Sequence, residues 1–211
     1  MKKNIVYTGV KEKIISGEYP PGGSISEKDV IADFNVSRTP IREALSLLEQ
    51  EGWIRPVPRK GYAVTDITFE EIKDLFQIRY ELEPVFLNVA FNFFEREKLE
   101  RLRERILSLI EAQDIGALAE VDREFHLYLI KSTYNRFAIK IMDSINDHIN
   151  RTRYLTFRDR DETLNSAAEH IKIINAILDG DKQRALETLK AHIDRSQLFF
   201  IRHFNFKRQD L

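Results

Sequence analysis

Val36–Ile54 reads VSRTPIREALSLLEQEGWI, and this stretch decides the fold of the first third of the chain. Ile41, Ala44, Leu45 and Leu48 recur at helical spacing and form one apolar stripe. Ser37 stands at the N-cap position, Pro40 falls in the first turn, where a missing N–H costs no helical bond, and Gly52 stops the helix. The opposite face carries Arg38, Thr39, Arg42, Ser46 and Glu49, with the two arginines one turn apart. A recognition helix needs this division: an apolar back seated on its own domain, and polar side chains at the amino end to reach the major groove. Arginine reads guanine through a bidentate pair to O6 and N7, and the Ser37 and Thr39 hydroxyls suit phosphate oxygens. A merely solvated helix face satisfies the same pattern. Residues 1–66 hold ten Lys/Arg against nine Asp/Glu, so local charge does not decide between the two.

Upstream, Lys3–Ser16 is modestly amphipathic and is stopped by GEYPPGG. SEKD at Ser26–Asp29 is a capping-box-like helix start, followed by Val30, Ile31 and Phe34 on one face and a tight turn at Asn35–Val36. Downstream, WIRPVPRKGYAV reads as two short strands around a basic turn at Arg59–Gly61. Five of the six prolines and six of the eight glycines lie in the first 61 residues, so turn-rich chain gives way to long helices near residues 65–68. The expected domains are 1–66 and 67–211. The second reads as six helices, near 69–93, 95–112, 115–133, 135–157, 161–179 and 181–206, and short connections make it an antiparallel bundle. The fold class is mainly α: helix, turn, helix, helix and hairpin, then an all-helical bundle.

The 211 residues carry a net charge of −1, which points to no partner by itself. The absence of cysteine rules out disulfides and thiolate metal sites and fits a reducing cytoplasm. Neither a signal-peptide core nor an apolar run of about 18 residues is present, so a cytoplasmic protein that does not cross a membrane is expected.

Three of the five histidines lie on the apolar stripes of three different helices. His126 runs with Leu118, Val121, Phe125 and Leu129, with Asp122 one turn earlier; His170 runs with Ala167, Ile171, Ile174 and Ile177; His192 runs with Ala185, Leu189 and Ile193. A single buried histidine is usually a hydrogen-bonded core residue, but three imidazoles and a carboxylate converging in a bundle suit a divalent transition metal. On the first bundle helix the stripe runs Ile72, Leu75, Phe76, Leu82, Phe86, Val89, Phe93, with Arg79 in its middle and Glu83 one turn on. Arg79 is either half of a structural ion pair or a group that meets a ligand carboxylate, assisted by Arg151 and Arg153. A metal-dependent hydrolase or lyase is the alternative on the residues alone, although no HExxH motif is present.

YPPGGSISEKDVIADFNVSRTPIREALSLLEQEGWI with RKGYAV closely resembles the winged helix-turn-helix of GntR-family bacterial transcription regulators. Carried over by position, the resemblance implies DNA contacts at Lys28, Ser37, Arg38, Thr39 and Arg42, with Arg59, Lys60 and Gly61 at the wing. RYELEP at Arg79–Pro84, DREFH at Asp122–His126, Asn135, EHIKIINAILDGD at Glu169–Asp181 and His192 resemble, in order, the FCD-type effector domain that accompanies such a winged helix, in its six-helix branch. In metal-containing members an Asp and three His bind the ion, which implies Asp122, His126, His170 and His192 here, with Zn foremost and Ni, Mn or Fe as other occupants. The resemblance implies a homodimeric repressor on a pseudo-palindromic operator, released by a small organic acid, and not an enzyme.

Overall fold

The computed structural model describes residues 2–152 and 159–207. The chain divides into two compact units, Met1–Thr68 with Asn150–Tyr154, and Phe69–Ile149 with Leu155–Leu211.

The first unit holds α1 (Lys2–Ile15), β1 (Ser24–Ile25), α2 (Glu27–Phe34), α3 (Arg38–Gln50), β2 (Ile54–Val57) and β3 (Gly61–Val64). Val6, Val10 and Ile14, one turn apart on α1, pack with Ile41, Leu45 and Leu48 of α3 and with Trp53 in one buried core. Ser26 caps α2 by accepting the Asp29 N–H at 3.1 Å, and Asn35 ends that helix in the left-handed region, φ 48°. Ser37 occupies the N-cap of α3, but its hydroxyl makes no capping bond. Residue N3 of that helix is Pro40, which has no N–H to give, so one of the two usual capping donors is missing.

β2 and β3 form the expected hairpin, joined by Pro58, Arg59 and Lys60, with Val57 opposite Gly61. A third strand, β1, was not expected from the sequence; it pairs antiparallel with β3, giving the order β1-β3-β2. Gly61 makes this pairing possible, because a Cβ there would lie 2.8 Å from the Ile25 carbonyl oxygen and its φ is +92°.

The second unit comprises α4 (Phe69–Ala90) with a 3-10 turn at Phe91–Phe93, α5 (Arg96–Ala112), α6 (Ile115–Lys131), α7 (Arg136–Thr152, whose residues from Asn150 on belong to the first unit), α8 (Arg160–Leu178) and α9 (Lys182–Lys207). The part of the expected 135–157 helix beyond Thr152 lies outside the described residues. Consecutive α5 and α6 pack together, as do α8 and α9, and the two- and three-residue connections require each pair to run antiparallel. α8 also lies against α5 and α6, while α4 packs on α6 and α9. The expected stripe of α4 is corrected at its far end. Val89 and Phe93 are 51% and 56% exposed, and Leu87 and Ala90 are buried instead.

Candidate nucleic-acid interface and metal centre

In the first unit, the apolar stripe of α3 fixes which way the helix faces. Ile41, Ala44, Leu45 and Leu48 are buried, so Ser37, Arg38, Thr39 and Arg42 are left exposed on the other side. Lys28 on α2 is exposed, as are Arg59 and Lys60 at the tip of the β2–β3 hairpin. Arg59 takes φ 64°, which turns the tip and leaves its side chain in solvent. The arrangement is a helix whose exposed amino end carries two guanidinium groups and two hydroxyls, beside a basic wing. Phosphates and guanine edges are the chemistry that complements it.

In the second unit, α6, α8 and α9 each deliver one histidine to the same point. His126, His170 and His192 are all buried, at 2%, 1% and 2% exposure. The Nε2 atoms of His170 and His192 lie 3.2 Å apart, and those of His192 and His126 lie 3.3 Å apart. Tetrahedral ligation at about 2.0–2.1 Å places neighbouring ligand atoms roughly 3.3–3.4 Å apart, which matches this spacing. Asp122, one turn before His126, has carboxylate oxygens 3.6 Å from His170 Nε2 and 3.9 Å from His126 Nε2. The Ser166 hydroxyl donates to that carboxylate at 3.2 Å.

Outer partners fix the direction in which two of the rings point. His126 Nδ1 lies 2.8 Å from Glu83, and His192 Nδ1 lies 2.8 Å from Glu169. A carboxylate only accepts, so each Nδ1 carries a proton and each ring turns its Nε2 toward the other histidines, where a deprotonated Nε2 presents a lone pair. Two lone pairs facing each other at 3.3 Å repel unless a cation lies between them, so the donor set fits a divalent metal ion. Burial, foremost, pushes the His192 imidazolium toward losing its proton, which leaves the ring in its metal-ligating form. Burial also pushes the Glu169 carboxyl up, but bonds from His192 and Arg195 outweigh it and hold Glu169 below its ordinary value. Arg195 binds Glu169 through Nε and Glu162 through Nη1, both at 2.5 Å.

Arg79 and Glu83 are buried at 2% and 0% exposure and paired at 2.5 Å, as their spacing on α4 allows. Arg79 Nη2 lies 3.0 Å from Nε2 and 3.1 Å from Nδ1 of His126. Near-equal distances place it against the ring face, not in line with one lone pair. Arg79 is thus an ion-pair partner, as one reading of its spacing expects, and it lies beside the candidate ligand His126.

The structure does not bring Arg151 to this cluster. Its guanidinium is buried in the first unit, bonds the Thr65 hydroxyl at 3.1 Å and the Thr65 carbonyl, and lies over the Trp53 ring. Arg153 lies outside the described residues. A groove of about 950 Å³ between α5 and α6, bordered by Leu102, Arg105, Glu124 and Tyr128, is a separate feature, and Arg105 there is paired with Glu124 at 2.6 Å. Glu169, Ser166 and Arg195 were missed by the sequence reading. Only the adjacency of Glu169 to His170 hinted at them, because Glu169 reaches His192 across 23 residues of sequence.

Comparison with known proteins now bears on both sites. Residues 74–195 match the FCD domain, and residues 2–64 match the bacterial regulatory proteins of the gntR family. The chain belongs to the GntR family, with an FCD domain. A Bacillus subtilis HTH-type transcriptional regulator, YdhC, is 27% identical over 89% of this chain and 86% of its own length. A solved GntR regulator from Rhodococcus superposes with a TM-score of 0.81 at 20% identity, covering 94% of this chain and 97% of that one. The Zn2+-bound FCD domain of TM0439 superposes with a TM-score of 0.58 at 24% identity, covering 65% of this chain and 96% of that one. This chain is thus a GntR-family transcriptional regulator that binds DNA, not an enzyme. No helix among the described residues is long and apolar enough to cross a membrane.

Proposed function

We propose that the chain is a cytoplasmic, metal-dependent repressor that leaves its operator when a small carboxylate metabolite binds. The reading of the first unit rests on the exposed amino end of α3. Arg38 and Arg42 read base edges, Ser37, Thr39 and Lys28 hold phosphates, and Arg59, Lys60 and the close turn at Gly61 engage the duplex from the wing. Arg38→Ala and Arg42→Ala are each expected to weaken operator binding by about 1–3 kcal/mol and to relax the base preference at one position. Titrating each variant against the operator and its single-base variants checks this. Full affinity and full selectivity in both variants would remove α3 from the interface.

The observation that carries the control half is the convergence of three Nε2 atoms, two pairs of them 3.2 and 3.3 Å apart. Asp122, His126, His170 and His192 would hold the ion, with Zn the first choice and Ni, Mn and Fe compatible with the same donors. A bound divalent ion supplies a Lewis-acidic position for an effector carboxylate, and Arg79 offers a second cation beside it. Preferential binding of the effector to the arrangement that does not fit DNA lowers operator occupancy. The zinc in the FCD domain of TM0439 supports the metal assignment. Repression is the sign that the family resemblance favours.

A homodimer on a pseudo-palindrome completes the proposal. Val85, Val89 and Phe93 at the end of α4, with Tyr134, Phe137 and Ile141 around the start of α7, are all more than half exposed, and Phe93 meets Tyr134 edge-on at 6.4 Å. An apolar face of this kind is unusual on an isolated chain and suits a second copy. Val89→Glu together with Phe137→Glu is expected to shift the sedimenting species from dimer to monomer; an unchanged mass would move the interface elsewhere.

A further inference from the structure

Arg42 is not a freely moving cation at the front of α3. Its Nε donates to both carboxylate oxygens of Glu27, at 2.9 and 3.2 Å. Glu27 is the first residue of α2, directly after the Ser26 cap, so its backbone is fixed by a helix start and not by a loose loop. The Glu27 side chain is 31% exposed and that of Arg42 is 64% exposed. Arg38, one turn earlier on the same face, has no carboxylate partner of this kind among the described residues. An exposed ion pair adds little to stability, so its larger consequence is to bias Arg42 toward the rotamer that meets Glu27.

Taking up Nε also selects which edge of the guanidinium remains. A guanine can be read by the side edge, Nε with one Nη, or by the end edge, with both Nη groups. With Nε held, the end edge is what Arg42 presents outward. We infer that Glu27 is a specificity-determining positioning residue, which holds Arg42 so that its two Nη groups read one guanine. The inference rests on the reading of α3 as the base-reading helix and deepens it.

Glu27 has a second, opposite effect on binding. A carboxylate close to the duplex repels phosphates, so it lowers affinity for every sequence while sharpening preference for one. Glu27→Gln therefore has a signature that plain structural damage does not produce. Affinity for random duplex rises a few-fold, while the ratio between the preferred site and the same site with its Arg42-contacted guanine replaced falls about 10-fold. Glu27→Asp keeps the charge but shortens the reach, so the ratio falls without the gain in affinity for random duplex. In an Arg42→Ala background, Glu27→Gln leaves the ratio where it was, because the group being positioned is gone.

The experiment uses the full chain and a duplex selected by that chain from a randomised pool, with dissociation constants measured for that duplex, its single-base variants and random duplex at one salt concentration. The expected result is the divergence just given, together with its disappearance in the Arg42→Ala background. An unchanged ratio in Glu27→Gln, an equal loss of affinity for every duplex, or the same fall in ratio with and without Arg42 overturns the inference while the reading of α3 stands. A chain that selects no duplex from the pool overturns both.

Discussion

His170→Ala is expected to weaken Zn2+ binding by at least ~100-fold, since outer partners of a metal ligand already cost 10–100-fold and His170 supplies a ligand atom itself. His170 comes from α8, between the α6 and α9 ligands, and its Nε2 lies 3.2 Å from that of His192 and 3.6 Å from Asp122. Removing it leaves two imidazoles and a carboxylate that no longer surround a point. Zinc content by elemental analysis after dialysis, with affinity from competition against a chelating chromophore, reads the effect directly. The variant should fold, because the loss is at a polar cluster whose other rings keep their own partners, Glu83 and Glu169. Glu169→Gln should give a smaller loss of about 10-fold, since it weakens only the orientation of His192. One equivalent of zinc held as tightly by His170→Ala as by the parent chain would exclude the cluster as the metal site. Carboxylate binding should fall in step with zinc, as the ion is its proposed anchor.

The elements that sequence reading found are those whose cause is local. The α3 stripe, the Ser26 cap and the Arg59–Gly61 turn follow from spacing and residue type within a few positions, and each is present. Strand β1 escaped because its two residues form a strand only by pairing with Tyr62 and Ala63, nearly forty residues away. Ser37 takes the N-cap position expected of it but makes no capping bond, and Pro40 removes one of the two N–H donors that could have supplied it. On α4, periodicity marked Val89 and Phe93 as apolar and could not tell a face turned to the core from one turned outward; Val85 and Val89 form a second apolar strip on the same helix. The histidines were legible because a polar residue on an apolar stripe is conspicuous. Glu169 and Arg195 were not, since charged residues on a helix are ordinary until distant chain brings them together.

Glu83→Ala should be the most destabilising single change among the polar residues of the second unit, by about 3–5 kcal/mol, because it strands the Arg79 guanidinium in a buried position. A melting temperature lower by roughly 8–15 °C is the expected reading. The pH dependence has the same origin. Burial pushes the Glu83 carboxyl up, but Arg79 and His126 outweigh it and bring it from 4.5 down to about 2. A depressed folded-state value means the contribution, on the order of 3 kcal/mol, is fully present above pH 4.5 and fades as pH falls toward 2. Replacing both members, Arg79→Met with Glu83→Leu, separates stability from function. Well-packed apolar pairs commonly equal or exceed a buried ion pair, so the double variant should melt near the parent temperature. It should nevertheless lose affinity for a carboxylate effector, and its His126 ring, without the Glu83 acceptor, should hold zinc less well. A double variant as unstable as Glu83→Ala would show that the pair is there for the fold. Stability regained with ligand affinity lost would show that a costly buried charge is kept for what it binds.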